Sequence, residues 1–334
     1  MVKLCIRTLT VVCWLACFAS AIPAQSSPGE KEIVKSTAYE PLRLTRSAEL
    51  QAMVDEAVAN LIRSHKGFKN EDLAVTLIDL RDPANLKYAH YRGEEKVYPA
   101  SVVKAFYLAA VHQQLEDGKL QMTPELERGL RDMIVTSSNE ATQYIVDVLT
   151  DTSSGAELPV KDFELWAYRR NRMNRYFASM GYTNINLNQK THCEDAYGVE
   201  QQFRNYKGEN RNMLTSNASA RLMAEIALGR IVNSERSRMM MELLKRDPFA
   251  EGKAVNSQAA DFGGKALIDR KMTGAKLWSK AGWTSRNRHD AAYVETPGGL
   301  KFAVAVFTEN RSNEKEIIPA IVGKLIDQMR DTKE

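Results

Sequence analysis

Pro99-Ala100-Ser101-Val102-Val103-Lys104-Ala105-Phe106-Tyr107-Leu108-Ala109-Ala110-Val111 opens on a proline and then runs apolar almost without a break. Proline is tolerated at a helix start, where its missing N–H would have no partner anyway. A helix without a polar face is buried, so Lys104 is predicted to lie inside the protein. A cation there costs several kcal/mol unless it is paired or neutralised. Ser101 stands three residues earlier, which puts both side chains on one face of the helix start, where free amides favour a developing anion. A desolvated lysine releases its proton more readily and can take one from the serine hydroxyl. The stretch reads as a nucleophile beside its base. S-x-x-K alone is weak: Ser312-Asn313-Glu314-Lys315 repeats it in a polar segment, and a capping serine with a snorkelling lysine has the same letters.

Around this helix the patterning changes period. Leu50, Met53, Val54, Ala57, Val58, Leu61 and Ile62 recur at helical spacing and predict a helix over 47–64. LAVTLIDL (Leu73–Leu80) and KYAHYRG (Lys87–Gly93) read as strands joined by a turn at RDPAN. Helical patterns dominate from Ser101 to Leu244. After Gly263-Gly264 come three strand-like runs, KLWSKAG, DAAYVET and LKFAVAVF, the last two separated by the hairpin turn Thr296-Pro297-Gly298-Gly299. Ile317–Met329 closes as a helix. Strands from both chain ends can pair into one antiparallel sheet, with the terminal helices on one face and the helical block beyond the other. The fold class is α/β, of the α+β type.

The composition, 44% hydrophobic and 26% charged over 334 residues, excludes collagen, a disordered tail protein and a multi-span membrane protein. A net charge of +4 without a basic block gives no reason to expect nucleic acid. Lys3 and Arg7 precede LTVVCWLACFA (Leu9–Ala19) and SAIPAQ, the pattern of a secretory signal over 1–24. Export to the periplasm or beyond the cell is expected, with no membrane span after its removal. A lipoprotein site at Cys17 is the disfavoured rival, because Trp14 stands where a smaller aliphatic residue is usual. The stretch 25–44, rich in Ser, Pro, Lys and Glu, reads as a flexible linker. Cys193 is the one cysteine beyond the signal, so no internal disulfide framework is expected. Neither C-x-x-C nor H-E-x-x-H occurs, and no metal or cofactor is expected.

Two further motifs follow in order. Ser137-Ser138-Asn139 lies after the helical stretch LERGLRDMIVT, and Lys280-Ala281-Gly282, the sole K-x-G, lies in a strand-like run near the C-terminus. S-x-N also recurs at Ser285-Arg286-Asn287, so the specific signal is the order of the three motifs in a matching layout. With them the chain resembles the active-site serine penicillin-recognising enzymes, in particular class A β-lactamases, over 45–331. Leu214–Asp247 resembles the helical stretch that follows that family's Ω loop.

The resemblance implies a five-stranded antiparallel sheet beside an all-helical lobe, with an α/β lobe of 45–100 plus 248–331 and a helical lobe of 101–247. It implies Ser101 as the acylated nucleophile, Lys104 as its base and Ser137 as proton donor to the departing nitrogen. Asn139 would bind the substrate amide, and Lys280, within its K-x-G with Gly282, would attract the substrate carboxylate. The amides of Ser101 and Trp283 would form an oxyanion hole. Arg288 is a second carboxylate anchor at an offset that does not match the family's. The partner implied is a small-molecule β-lactam or a peptidoglycan-like acyl donor, and the expected form is a monomer.

The sequence also departs from the family. Ser138 stands where Asp is usual, and Ala281 replaces a hydroxyl residue, a loss for which Thr284 is the candidate compensation. About twenty extra residues precede Gly181, among them FELWAYRRNRMNRYF, which reads as an amphipathic helix after a longer loop. The E-x-x-L-N setting of the deacylating glutamate is absent. Counting from Gly181 points to Glu194, and counting back from Asn212 points to Glu200. The expected function is a secreted serine β-lactamase. A DD-peptidase or esterase on the same scaffold, or a penicillin binder that does not hydrolyse, are the alternatives.

Overall fold

The computed structural model describes residues 31–65, 67–192, 195–251 and 256–332. The expected signal at 1–24, with Cys17, lies outside them. After the short β1 (Thr45–Arg46), Ser47 caps α1 (Ala48–Ser64) by accepting from the Leu50 amide at 3.2 Å, and the helix buries the stripe from Leu50 to Leu61. Then come β2 (Leu73–Asp79) and β3 (Lys87–Tyr91), a 3₁₀ turn at Ala100–Val102, and α2 (Val103–Glu116). The helical block continues with α3 (Pro124–Arg131), α4 (Asn139–Thr150), α5 (Val160–Arg170), α6 (Arg172–Ser179), α7 (Val199–Arg204), α8 (Ser216–Ala227) and α9 (Ser234–Leu244). The chain returns through β4 (Lys245–Arg246), α10 (Ser257–Ala260) and α11 (Gly263–Asp269) to β5 (Lys276–Trp283), β6 (Arg288–Glu295), β7 (Lys301–Thr308) and α12 (Ile317–Asp331).

The sheet runs β1-β3-β2-β7-β6-β5-β4. Its five long strands are antiparallel, as expected, and two-residue strands extend it at each edge, β1 parallel to β3 and β4 antiparallel to β5. Alternation along β7 explains the layers. Phe302, Val304 and Val306 join the core with α1 and α12, while Ala303, Ala305 and Phe307 join the core with the helical block. Because both faces are covered, the central strands read as apolar runs rather than as clean alternation. α2 is the axis of the helical side: every residue from Val103 to Leu115 is buried, Lys104 included.

The stretch expected as a flexible linker is packed from residue 31 onward. Ile33, Tyr39 and Leu42 are buried, Tyr39 donates to Glu225 Oε1 at 2.8 Å, and the Glu32 carboxylate pairs with Arg175 and Arg172. An extended strap follows a groove instead of presenting one face, so its apolar residues show no period. The extra segment before Gly181 forms two helices, α5 and α6, and Arg170 and Arg172, polar by pattern, are fully buried.

Candidate active site

The nucleophile candidate sits on a constrained turn. Ala100 has φ +47°, a left-handed conformation that strains a residue with a side chain, and Ser101 follows it on the 3₁₀ turn that leads into α2. The Tyr98 carbonyl just upstream accepts from His289 Nε2 at 2.9 Å and Asn287 Nδ2 at 3.2 Å, which ties the turn to the start of β6. His289 Nδ1 in turn accepts from the Thr308 amide at 3.1 Å, so the tautomer with its proton on Nε2 satisfies both contacts. From the other side β5 presses against the turn. A Cβ on Gly282 would lie 2.7 Å from the Ser101 nitrogen and 2.8 Å from both Pro99 O and Val102 N, so this strand position admits only glycine without a backbone shift.

Lys104 and Lys280 are both 0% exposed and meet at Ser137. Lys104 Nζ lies 2.6 Å from Ser137 O, 2.9 Å from Asn139 Oδ1, 3.3 Å from Ser138 O and 3.3 Å from Ser137 Oγ. Lys280 Nζ lies 3.0 Å from the same Ser137 Oγ. The hydroxyl therefore stands between two amines and can pass a proton from one side to the other. Its presentation is built locally. A π-helical turn over Asp132–Thr136 ends α3, Ser137 adopts φ +61°, and Ser138 Oγ caps α4 by accepting from the Ala141 amide at 3.0 Å. Ser138, where the resemblance led one to expect Asp, thus does a helix cap's work, and Asn139 opens the helix facing Lys104.

Burial, then the nearby charges of Lys104 and Arg246, push the Lys280 amine well below the ordinary lysine range, with Asp290 pulling the other way. Three of its neighbours carried no motif in the sequence. Gln258 Oε1 accepts from Lys280 Nζ at 2.8 Å while Gln258 Nε2 donates to Val135 O at 3.0 Å, linking α10 to the segment before Ser137. Arg246 is buried and donates to Leu243 O, Lys245 O and Ile134 O. Asp290 Oδ2 accepts from the Gly263 amide at 2.9 Å, and burial raises its carboxyl to about 6. A four-residue helix and a two-residue strand have no periodicity to read, so no pattern could have singled out Gln258 or Arg246.

At the end of β5, Trp283 is 47% exposed at the rim. Thr284 Oγ1 accepts from the amides of Arg286 and Asn287, fastening the turn between β5 and β6. Ala281 is fully buried in the core with α1 and α12, on the opposite face of β5 from Lys280. Arg288 donates to Asp261 O at 2.6 Å and stacks on the Phe262 ring at 3.9 Å. With Trp283, Thr284, Phe262 and Lys315 it lines a cavity of about 340 Å³.

Of the two acids, Glu194 lies with Cys193 outside the described residues. Glu200 is 4% exposed and held by a bidentate pair with Arg170, 2.7 Å from Nη1 and 2.8 Å from Nη2. Ser154 Oγ also donates to Glu200 Oε1 at 3.0 Å. Burial alone would raise this carboxyl, but the Arg170 hydrogen bonds and charge outweigh it and hold it below the usual glutamate range. Among the described residues no group of His, Cys, Asp and Glu is placed to hold a metal ion, and no helix is long and apolar enough to cross a membrane.

Known structures share this fold. A beta-lactamase from Sphaerobacter thermophilus is 20% identical, with a TM-score of 0.60 over 84% of this chain and 98% of that one. PBP-A is 17% identical, with a TM-score of 0.59 over 88% of this chain and 99% of that one. A class A beta-lactamase from Mycobacterium abscessus is 15% identical, with a TM-score of 0.57 over 83% and 99%. No curated protein matches the sequence. The model of the beta-lactamase enzyme family matches residues 53–128 and 122–329. Matched by that model over most of its length, with two lysines converging on one serine beside the strained turn at Ser101, the chain belongs to the beta-lactamase enzyme family.

Proposed function

We propose that the protein is an exported serine β-lactamase that opens the lactam amide through an acyl-enzyme on Ser101. The observation that carries this reading is the Ser137 hydroxyl between Lys104 and Lys280, with Gly282 packed on the Ser101 amide. Ser101 Oγ attacks the lactam carbonyl and its proton passes to Lys104. Ser137 relays that proton to the ring nitrogen as the C–N bond breaks. The amides of Ser101 and of Trp283, the residue after Gly282, stabilise the oxyanion in this reading, a contribution of about 3 kcal/mol per donor in other hydrolases. Lys280 and Arg288 supply positive potential for a substrate carboxylate, and Asn139 receives the substrate amide. Water then attacks the ester carbonyl and frees Ser101.

For the carboxylate that activates this water, Glu194 is the better candidate. Both Glu200 oxygens are committed to Arg170, and a carboxylate held below its usual range is a weak base. A single-residue variant of PBP-A, 17% identical, has been captured as an acyl-enzyme with penicillin G, so the scaffold accepts that chemistry in a relative.

Intact-mass time courses with penicillin, beside nitrocefin turnover, test the reading. The expected result is a transient adduct that Ser101→Ala abolishes. A permanent adduct would make the protein a penicillin binder without hydrolysis. No adduct, with turnover of D-Ala-D-Ala peptides or esters instead, would replace the lactam by another acyl donor.

A further inference from the structure

The insertion at 150–178 carries a buried ion cluster that neither the motifs nor the proposed acylation uses. Arg170, at the end of α5, is fully buried and grips both oxygens of Glu200 on α7. Its Nε donates to Thr152 Oγ1 at 2.9 Å, and its guanidinium lies over the Trp166 ring at 4.2 Å. Lys190 Nζ adds contacts to Asp147 Oδ2 at 2.7 Å, Ser154 Oγ at 2.8 Å and Glu200 Oε1 at 3.4 Å. Two cations face two carboxylates, so the cluster is internally balanced, which a buried set of charges requires.

An apolar contact backs the cluster. Phe163, Trp166 and Ala167 of α5 form a small core of their own with Val199 and Phe203 of α7. At the entry to α7 the Val199 amide donates to Gly155 O at 3.0 Å, and a Cβ on Gly198 would lie 1.9 Å from that oxygen. Gln202 exchanges two hydrogen bonds with the Leu158 backbone. The insertion and α7 are therefore locked to each other.

The same chain segment runs beside the site. Gln189 O accepts from the Tyr107 hydroxyl at 2.7 Å, one turn along α2 from Lys104. Thr191 O accepts from Gln143 Nε2 at 3.2 Å, one turn along α4 from Asn139. Lys190, between these two anchors, ends in the ion cluster.

We propose that Arg170 is a positioning residue for hydrolysis of the acyl-enzyme: through Glu200 and Lys190 it holds residues 187–192 and 195–206 against α2 and α4. This rests on the serine-hydrolase reading of Ser101. The attacking water must be placed more exactingly than the ester, since a displacement of about 1 Å costs roughly a hundredfold. Acylation, by contrast, draws on Ser101, Lys104, Ser137 and Lys280, whereas the hydrogen bonds of Arg170, Glu200 and Lys190 given above run to Thr152, Ser154 and Asp147.

Arg170→Met combined with Glu200→Met tests this, because it removes one charge of each sign and leaves the Lys190–Asp147 pair intact. The expected result is an acylation rate with penicillin within about twofold of wild type and a deacylation rate slowed at least about tenfold, read by mass. Hydrogen exchange should rise in 187–192 and 195–206 and not in α1 or α12. Arg170→Lys, which keeps the charge without the bidentate fork, should fall between, and it carries the comparison if the double variant does not fold. Unchanged deacylation in a folded variant, or acylation and deacylation slowed alike, overturns the proposal. If wild type forms no adduct, the lactam reading fails, and exchange alone decides whether the clamp exists: unchanged protection of 195–206 ends it.

Discussion

Gly282 shows how much one missing side chain decides. The atoms its Cβ would meet are backbone, Ser101 N, Pro99 O and Val102 N, so none can rotate away. Gly282→Ala must push β5 and the nucleophile turn apart. The expected outcome is an acylation rate at Ser101 lowered by about a hundredfold, from misplacement on the order of 1 Å, in a protein that still folds. A wild-type rate in stopped-flow or mass assays would mean that the two backbones are not in register. Lys280 makes a complementary point. Its desolvation is offset by three oxygens, Ser137 Oγ, Gln258 Oε1 and Ala281 O, of which Gln258 Oε1 lies outside the motifs.

At the scale of elements, chemistry and stability share residues. Ser138 caps α4 through the Ala141 amide, and its carbonyl also accepts from Lys104 at 3.3 Å. Ser138→Ala removes the side-chain cap but keeps that carbonyl. Stability should fall by about 1 kcal/mol, read as a lower denaturant midpoint, while labelling of Ser101 persists. An unchanged midpoint would show that another acceptor takes over the Ala141 amide. α2 illustrates the reverse case, an element whose local pattern carries a cost. Its burial on all sides removes any polar face, so the charge of Lys104 relies on partners from other elements, among the described residues Ser137, Ser138 and Asn139.

For the whole molecule, two buried histidines and one buried aspartate contribute to the response to acid. Burial lowers His112 and His289 to about 4, so each stays neutral in the folded chain at a pH where the unfolded chain binds a proton. Their contribution is complete above about 6.5 and is lost as pH falls toward 4, about 3 kcal/mol each. Asp290, raised to about 6, acts the other way: its folded form binds a proton first, so acidification from about 6 to 4 returns a similar amount. The net expectation is a melting temperature that drops between pH 6.5 and 4. Both ring nitrogens of His112 lack a hydrogen-bond partner among the described residues. His112→Leu should therefore flatten the drop without costing a contact. A melting curve shifted equally at every pH would show that His112 does not titrate with folding.

The amino-acid order by itself determined the layers and nominated most of the candidate site. Short apolar runs bounded by turns mark β2, β5, β6 and β7, helical spacing marks α1 and α12, and a lysine in an all-apolar helix marks Lys104, because these signals are local and follow from which face must be buried. The order of the three motifs supplied Ser101, Ser137, Asn139 and Lys280 without any distance. Only the tertiary structure decided what joins residues far apart in the chain: Gln258 and Arg246 near Lys280, His289 beneath the turn before Ser101, and the strap from residue 31. It also decided the partner of Glu200, since a glutamate reads the same in the sequence whether it faces water or Arg170. Pairing of buried charges is a property of packing, and packing between distant segments leaves no period along the chain.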